Sequence, residues 1–286
     1  MTSADTITLK KDFEEKGYVV IDTNLETQLI DGVVSDLSPY FGDNREHPIH
    51  APSADEGRIQ DAWYISQNVL ALAHCETVLD ILKQLYGAEA KPFQTLNFYK
   101  GTEQAVHVDS VHFNCEPFGM MCGVWIALED IGPDQGPLIY YPGSHELPEM
   151  NYDYFGLEGN YDNYRQYLDG LHALIDKHGY KPEYGILKKG QAVIWSANII
   201  HGGSHQVNKE LTRHSQVTHY YMGNPKCWRP SMTKNPKRRH YFKPEVVRDV
   251  SGEPLRYPLQ PLSIKRPIDF CRRATAEIKR RIFNRS

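Results

Sequence analysis

Near the middle of the chain, the segment from Gln104 to Phe113 places His107 and Asp109 two residues apart. In an extended strand such residues point to the same face. An imidazole and a carboxylate so placed can grip one ion from one side. A third ligand has to come from elsewhere, and His201 is the strongest candidate. It follows the apolar strand Ala192–Ile200 and precedes Gly202 and Gly203, where the backbone can turn closely. Two imidazoles and one carboxylate on one face of an octahedron form the facial triad of non-haem Fe(II) oxygenases. Three adjacent positions stay open, two for a chelating 2-oxo acid and one for O2. Oxidative decarboxylation of the 2-oxo acid then supplies an oxidant able to take hydrogen from an unactivated C–H bond, with the protein positioning the partners.

The distal carboxylate of such a co-substrate needs a fixed cation. Arg213, at the start of the strand Ser215–Met222, fits, because a guanidinium binds a carboxylate through two parallel hydrogen bonds and an ammonium does not. Ser204 can donate a hydroxyl to the same carboxylate. A lone H-x-D is weak evidence in a chain with 13 histidines and 36 acidic residues. The combination of H-x-D, a downstream His-Gly after a strand, and an Arg opening the next strand is far more specific. His201 and His205 have the spacing of a helical zinc pair, but Gly202, Gly203 and the missing glutamate of H-E-x-x-H argue against it. His112, His145, His214 and His219 read as hydrogen-bonded or surface residues, with His112 placed to line the substrate side.

These residues need rigid elements to bring them together. The 286-residue chain is 40% hydrophobic and 24% charged, an ordinary globular composition. Its net charge of −4 does not mark a nucleic-acid binder. Five scattered cysteines without a C-x-x-C pair argue against a disulfide framework or a thiolate zinc site, and fit the reducing cytoplasm. Met1 to Lys10 has no apolar region of a secretory signal, and no stretch is apolar for the length of a transmembrane helix.

Residues 1–90 read as a helical flank. A charged helix holds Phe13 and stops at Gly17, and Tyr18–Ile21 follows as a buried strand. A helix after Asn24 lines up Leu25, Leu29, Val33 and Leu37, and another runs from Ser66 to Tyr86. From residue 91 to 222 short apolar segments alternate with Gly/Pro turns: Phe93–Tyr99, Gly119–Leu128, Pro137–Tyr141, Gln191–Trp195 and Gln216–Met222. That pattern predicts a sandwich, barrel or jelly roll. A helical insert near residues 160–179, with Tyr164, Leu168, Leu171 and Ile175 on one face, is either a lid or a helix packed outside the sheet. Residues 223–286 form an extension whose tail, from Lys265, is strongly basic. Such a tail can touch an anionic membrane surface or a partner, although its thin apolar stripe fits better a helix packed on its own domain.

The motifs then point to a family. Phe98 to Asp109, Val124 to Asp130, Gly136 to His145, Gly190 to Trp195, and His201 through Ser204 to Arg213 resemble the phytanoyl-CoA dioxygenase family of Fe(II)/2-oxoglutarate-dependent oxygenases. Phe13 to Tyr18 is also typical of such proteins. The similarity runs to about Met222. It implies a mainly β fold with flanking helices, the double-stranded β-helix (jelly roll, cupin-like), as a single oxygenase domain over residues 1–286. It implies Fe(II) at His107, Asp109 and His201, 2-oxoglutarate as co-substrate anchored by Arg213, and O2. By the same resemblance Trp125, Ser204 and Asn97 lie near the 2-oxoglutarate, and Pro142 to His145 is a structural turn. Ser204 stands three residues after His201 where the family usually has its hydroxyl two after, which reads as a one-glycine insertion. Asp109 disfavours halogenation, since related halogenases replace the carboxylate with a small residue.

The resulting expectation is a dioxygenase that hydroxylates a C–H bond of a small organic molecule, releasing succinate and CO2. Desaturation or epimerisation by the same site, another metal without a 2-oxo acid, and a catalytically silent jelly-roll binding protein are the alternatives. The substrate end should involve His112, Phe113 and Asn114, with Trp63, Gln94 and the Tyr164–Ile175 insert as further candidates.

Overall fold

A computed structural model of the chain describes residues 3–41, 53–55 and 57–251. The basic tail from Lys265 and Cys271 lie outside the described residues. The helices are α1 (Ser3–Lys16), α2 (Thr27–Leu37), α3 (Gln67–Ala73), α4 (Glu76–Tyr86) and α5 (Tyr164–His178). The strands are β1 (Tyr18–Asp22), β2 (Ser53–Asp55), β3 (Arg58–Gln60), β4 (Ala90–Phe98), β5 (Asn114–Glu116), β6 (Met121–Ala127), β7 (Leu138–Tyr140), β8 (Glu183–Tyr184), β9 (Gln191–Ser196), β10 (His201–Gly203), β11 (Ser215–Met222) and β12 (Lys226–Trp228).

A seven-stranded sheet runs β1-β9-β6-β11-β4-β3-β2, and a three-stranded sheet runs β10-β7-β8. Their pairings are antiparallel. The small sheet closes over one face of the large one, so that Tyr140 and Leu138 pack with Phe98, Trp125, Val193, Trp195 and Val217. This is a double-stranded β-helix, a cupin-like jelly roll with flanking helices. Strand alternation sorts the large sheet into two faces. His219, Val217 and Ser215 of β11 stand opposite Gln94, Leu96 and Phe98 of β4 and opposite Gly123, Trp125 and Ala127 of β6. These look into the jelly roll. The alternate residues, such as Val124, Ile126, Ala192 and Ile194, pack against Ile30, Val33, Leu72 and Leu82 of the helical layer.

Several elements differ from the sequence reading. The helix expected from Ser66 to Tyr86 is two helices, broken at His74 and Cys75. The break lets His74 Nε2 reach Val247 O at 2.9 Å, and each short helix lays its own apolar face on the sheet. The strand expected over Ala192–Ile200 ends at Ser196, and the chain turns before β10. The insert helix α5 packs outside the jelly roll, against the outward-facing Ile139 of the small sheet. Its buried face, Tyr164, Tyr167, Leu168, Leu171, Leu174 and Ile175, packs on Val106, Val108, Val111 and Ile200. It is a wall behind the segments that carry the histidine–aspartate motif and His201.

Candidate active site

His107 and His201 exchange both backbone hydrogen bonds, His107 N to His201 O at 2.8 Å and His201 N to His107 O at 2.9 Å. In an antiparallel pair that exchange sets two side chains side by side, and the rings lie 4.4 Å apart between centroids. Val108 is extended (φ −118°, ψ 141°), so Asp109 returns to the same face before the chain enters a 3-10 turn over Asp109–Val111. The motif therefore does not close a regular strand, but the same alternation operates. Gly202 and Gly203 make the close approach possible. A Cβ on Gly202 would lie 2.8 Å from Gln104 O, and one on Gly203 would lie 2.9 Å from both Gln104 N and Glu103 N.

The ligand atoms of His107, Asp109 and His201 all lie within 4.8 Å of one another, and all three residues are buried. Asp109 Oδ1 is 3.8 Å from His107 Nε2 and 3.6 Å from His201 Nε2. Each Nδ1 sits 3.0 Å from a backbone carbonyl, Ala105 O for His107 and Ile199 O for His201. A carbonyl only accepts, so Nδ1 carries the proton and the Nε2 lone pair faces inward. Burial, with the neighbouring His201, pushes the His107 pKa down to about 3, so this imidazole is neutral near pH 7. Burial would raise Asp109, but His201 and His219 beside it outweigh burial and hold its carboxyl well below the usual range. Two imidazoles and one carboxylate facing one point are a donor set for a divalent transition metal, and they fit Fe(II).

The second oxygen of Asp109 is held from behind. Trp195 Nε1 donates to Asp109 Oδ2 at 2.8 Å, and His219 Nε2 lies 3.5 Å from it. Gln94 Oε1 is 3.0 Å from His219 Nδ1. Trp195 can lie flat here because residue 123 is glycine: a Cβ there would meet the indole at 2.3 Å. Gln104 Nε2 is 3.3 Å from His107 Nε2. Trp195, His219 and Gln104 were not among the residues expected at the site. His219 shares the alternation of Arg213, Ser215 and Val217, and that parity is the signal that finds it.

Arg213 is buried, with its guanidinium carbon 5.6 Å from the Phe98 ring centroid and 5.5 Å from that of Trp125. Nη1 donates to Gly136 O at 2.8 Å, while Nε is buried without a hydrogen-bond partner. No carboxylate among the described residues forms an ion pair with it. Burial lowers its pKa to about 10, which leaves it charged at neutral pH. A cation in an apolar slot, with one donor unused, calls for an anion. Trp125 thus lies against this cation. Ser204 Oγ donates to Pro137 O at 2.8 Å, in the turn that Arg213 also grips.

Two expectations are corrected. Asn97 points to the other face of the large sheet, where its Nδ2 donates to Gln216 Oε1 at 3.0 Å, and Gln216 in turn donates to Val69 O in α3. Trp63 packs in the core between the sheet and the helices. His112 lies 5.7 Å from Tyr164 and 6.4 Å from Tyr161 between ring centroids, and Phe113 lies 5.6 Å from His219. Asn114 Nδ2 donates to Glu149 Oε1. Ser144 Oγ donates to Tyr141 O at 2.7 Å and accepts from Ile200 N at 2.9 Å, which ties the Pro142 to His145 turn to the residue before His201.

The family model for phytanoyl-CoA dioxygenase (PhyH) matches residues 13–215, a span that contains His107, Asp109, His201 and Arg213 and ends just before His219. The chain belongs to the phytanoyl-CoA dioxygenase family. That family comprises Fe(II)- and 2-oxoglutarate-dependent oxygenases, and the buried His-Asp-His donor set of this chain fits its iron. A zebrafish (Danio rerio) relative, phytanoyl-CoA dioxygenase domain-containing protein 1, is 26% identical over 175 residues, covering 56% of this chain and 54% of that protein. The chain thus spans about half the length of that relative. A Caenorhabditis elegans homologue is 22% identical over 265 residues, covering 74% of this chain and 89% of that protein. Solved structures share the fold at 17% identity. The 2-oxoglutarate-dependent epimerase SnoN of nogalamycin biosynthesis has a TM-score of 0.61 over 86% of this chain and 100% of its own. EctD from S. alaskensis, solved with 2-oxoglutarate and 5-hydroxyectoine, has a TM-score of 0.61 over 86% of this chain and 85% of its own.

Proposed function

We propose that the protein hydroxylates a C–H bond of a small organic molecule, with 2-oxoglutarate converted to succinate and CO2. The observation that carries this reading is the convergence of His107 Nε2, His201 Nε2 and Asp109 Oδ1 on one buried point, with both imidazoles already in the ligating tautomer. When bound, iron and 2-oxoglutarate supply the oxidation of a C–H bond by O2. The residues of the chain do the rest. His107, His201 and Asp109 would hold the metal through Nε2, Nε2 and Oδ1. Trp195 and His219 fix the Asp109 carboxylate so that Oδ1 faces the ion. Arg213 takes the distal carboxylate of 2-oxoglutarate, and the Phe98 and Trp125 rings keep water from that ion pair, which strengthens it. Ser204 and Arg213 together brace the Gly136–Pro137 turn. His112 and Phe113 lie on the side from which a substrate approaches.

The family name does not bring its eponymous substrate to this chain, because one fold serves many molecules. The jelly-roll core and its flanks act as one oxygenase unit over residues 1–286 in this reading. Among the described residues no helix is long and apolar enough to cross a membrane. Cys75, Cys115, Cys122 and Cys227 are free, which supports a reducing, cytoplasmic setting.

The test is succinate release with Fe(II), O2 and 2-oxoglutarate across a library of small organic acids, amines and alcohols. His107→Ala and Asp109→Ala are expected to lose metal binding and succinate release alike. Full turnover by either variant would falsify the ligand set, and with it the hydroxylase reading.

A further inference from the structure

A second cation, Arg229, stands near the site, beside a different pair of rings from Arg213. The 3-10 turn that begins at Asp109 leads into β5, and β5 pairs with β12, with Trp228 opposite Asn114. Phe113 and Arg229 leave that ladder side by side. The Arg229 guanidinium carbon lies 5.9 Å from the Phe113 ring centroid and 4.3 Å from that of Phe242. The Phe113 ring is in turn 5.6 Å from His219, which touches Asp109. One aromatic ring therefore separates Arg229 from the groups that hold the iron carboxylate.

An exposed arginine is solvated and needs no partner. Arg229 is partly buried: its Nε is shut off from water and has no hydrogen-bond acceptor, while Nη1, on the exposed side, contacts Met232 Sδ at 3.9 Å. No carboxylate among the described residues forms an ion pair with it. Like Arg213, it is a charged fork between two rings with an unused inner donor, although Arg213 is buried and Arg229 is only partly so. The walls beside it are aromatic: His112 with Tyr161 and Tyr164, and Phe113 with Phe93. Tyr161 joins Ser231, two residues after Arg229 in the chain, at 3.2 Å between their hydroxyl oxygens. The surroundings offer apolar contact for a carbon skeleton and one site of opposite charge for an anion.

We propose that Arg229 binds an anionic head group of the primary substrate, a carboxylate or a phosphate monoester, while an apolar body lies along Phe113, His112, Tyr161 and Tyr164. This rests on the oxygenase reading and adds the substrate class to it. Binding at Arg229 puts the head group on one side of Phe113 and leaves the body to extend toward the metal site. Arg213 serves the co-substrate and Arg229 the substrate, so each guanidinium selects one of the two anions that must be present together.

The test uses full-length protein loaded with Mn(II) and saturating 2-oxoglutarate without oxygen, titrated in a calorimeter with three probes: 3-phenylpropanoate, 2-phenylethyl phosphate and neutral 3-phenylpropanamide. At least one anion is expected to bind the wild type about tenfold or more tightly than the amide, and the better of the two identifies the head group. Arg229→Gln should erase that preference, and Arg229→Lys should keep part of it. Equal or undetectable binding of all three probes by the wild type overturns the inference, as does a preference that survives in Arg229→Gln. If the wild type takes up Mn(II) and 2-oxoglutarate and shows no preference, only the role of Arg229 falls. If it takes up neither, the oxygenase reading falls first.

Discussion

The single groups at this site are held in the chemical form their task requires. His107 and His112 are kept neutral by burial, with pKa values of about 3 and about 4, and Asp109 is kept ionised. All three shifts act in one direction on stability. An unfolded chain protonates its imidazoles near pH 6.5 and the folded protein does not, so acid pulls toward the unfolded state. The contribution is complete above about pH 6.5 and is lost as pH falls toward the folded values. The melting temperature of metal-free protein should therefore drop between pH 7 and pH 5, and the drop should be smaller in His112→Phe; a flat profile in the wild type contradicts the burial argument. Arg213 makes a separate prediction. Arg213→Ala should raise the 2-oxoglutarate KM in a succinate assay by about tenfold or more, and Arg213→Lys should recover only part, since one ammonium cannot reproduce the bidentate contact. An unchanged KM would favour a metalloenzyme that uses no 2-oxo acid. Residue types and spacing made the cluster of His107, Asp109 and His201 legible in the sequence and singled out Arg213 as a candidate. Asn97 was misplaced because strand parity decides which face a side chain meets, and Asn97 is one residue off the parity of Phe98 and Leu96, which look inward.

Elements explain why three distant ligands arrive together. β10 is only three residues long, yet it carries His201 and pairs with β7 on one side while its first residue bonds to His107 on the other. Its two glycines run against the backbone of residues 102–106 with no room for a side chain. Gly203→Ala should cost about 1–3 kcal/mol through overpacking, read as a lower midpoint in urea, and should weaken Mn(II) binding because the strain falls on the strand that bears His201. A variant with wild-type stability and metal affinity would show that the approach is looser than the structure has it. The longer strands and α5 were readable from periodicity, since each repeats an apolar pattern over several residues. β2, β3, β5, β8, β10 and β12 were not, because strands of two or three residues carry too few positions to show a period, and their pairing is set by partners far along the chain. The contact of Trp195 with Asp109 spans 86 positions and left no local trace.

At the scale of the whole molecule, the jelly roll works as a frame whose two faces have separate duties. One face of the large sheet is spent on the helical layer of α2, α3 and α4, and the other on the catalytic groups. The C-terminal segment closes both. Val247 is fully buried in the helical core and its N–H bonds to Pro92 O, while Arg229 and Phe242 stand at the proposed substrate side. The main-chain bonds between His107 and His201 have a further consequence. No ion is required to hold those two residues together, so occupancy and folding are uncoupled. A chelator should strip the centre and leave the far-ultraviolet circular dichroism unchanged, and Co(II) added afterwards should restore a bound, coloured species. The seat is built before its occupant arrives, and iron lost to oxidation can be replaced in a chain that never has to refold.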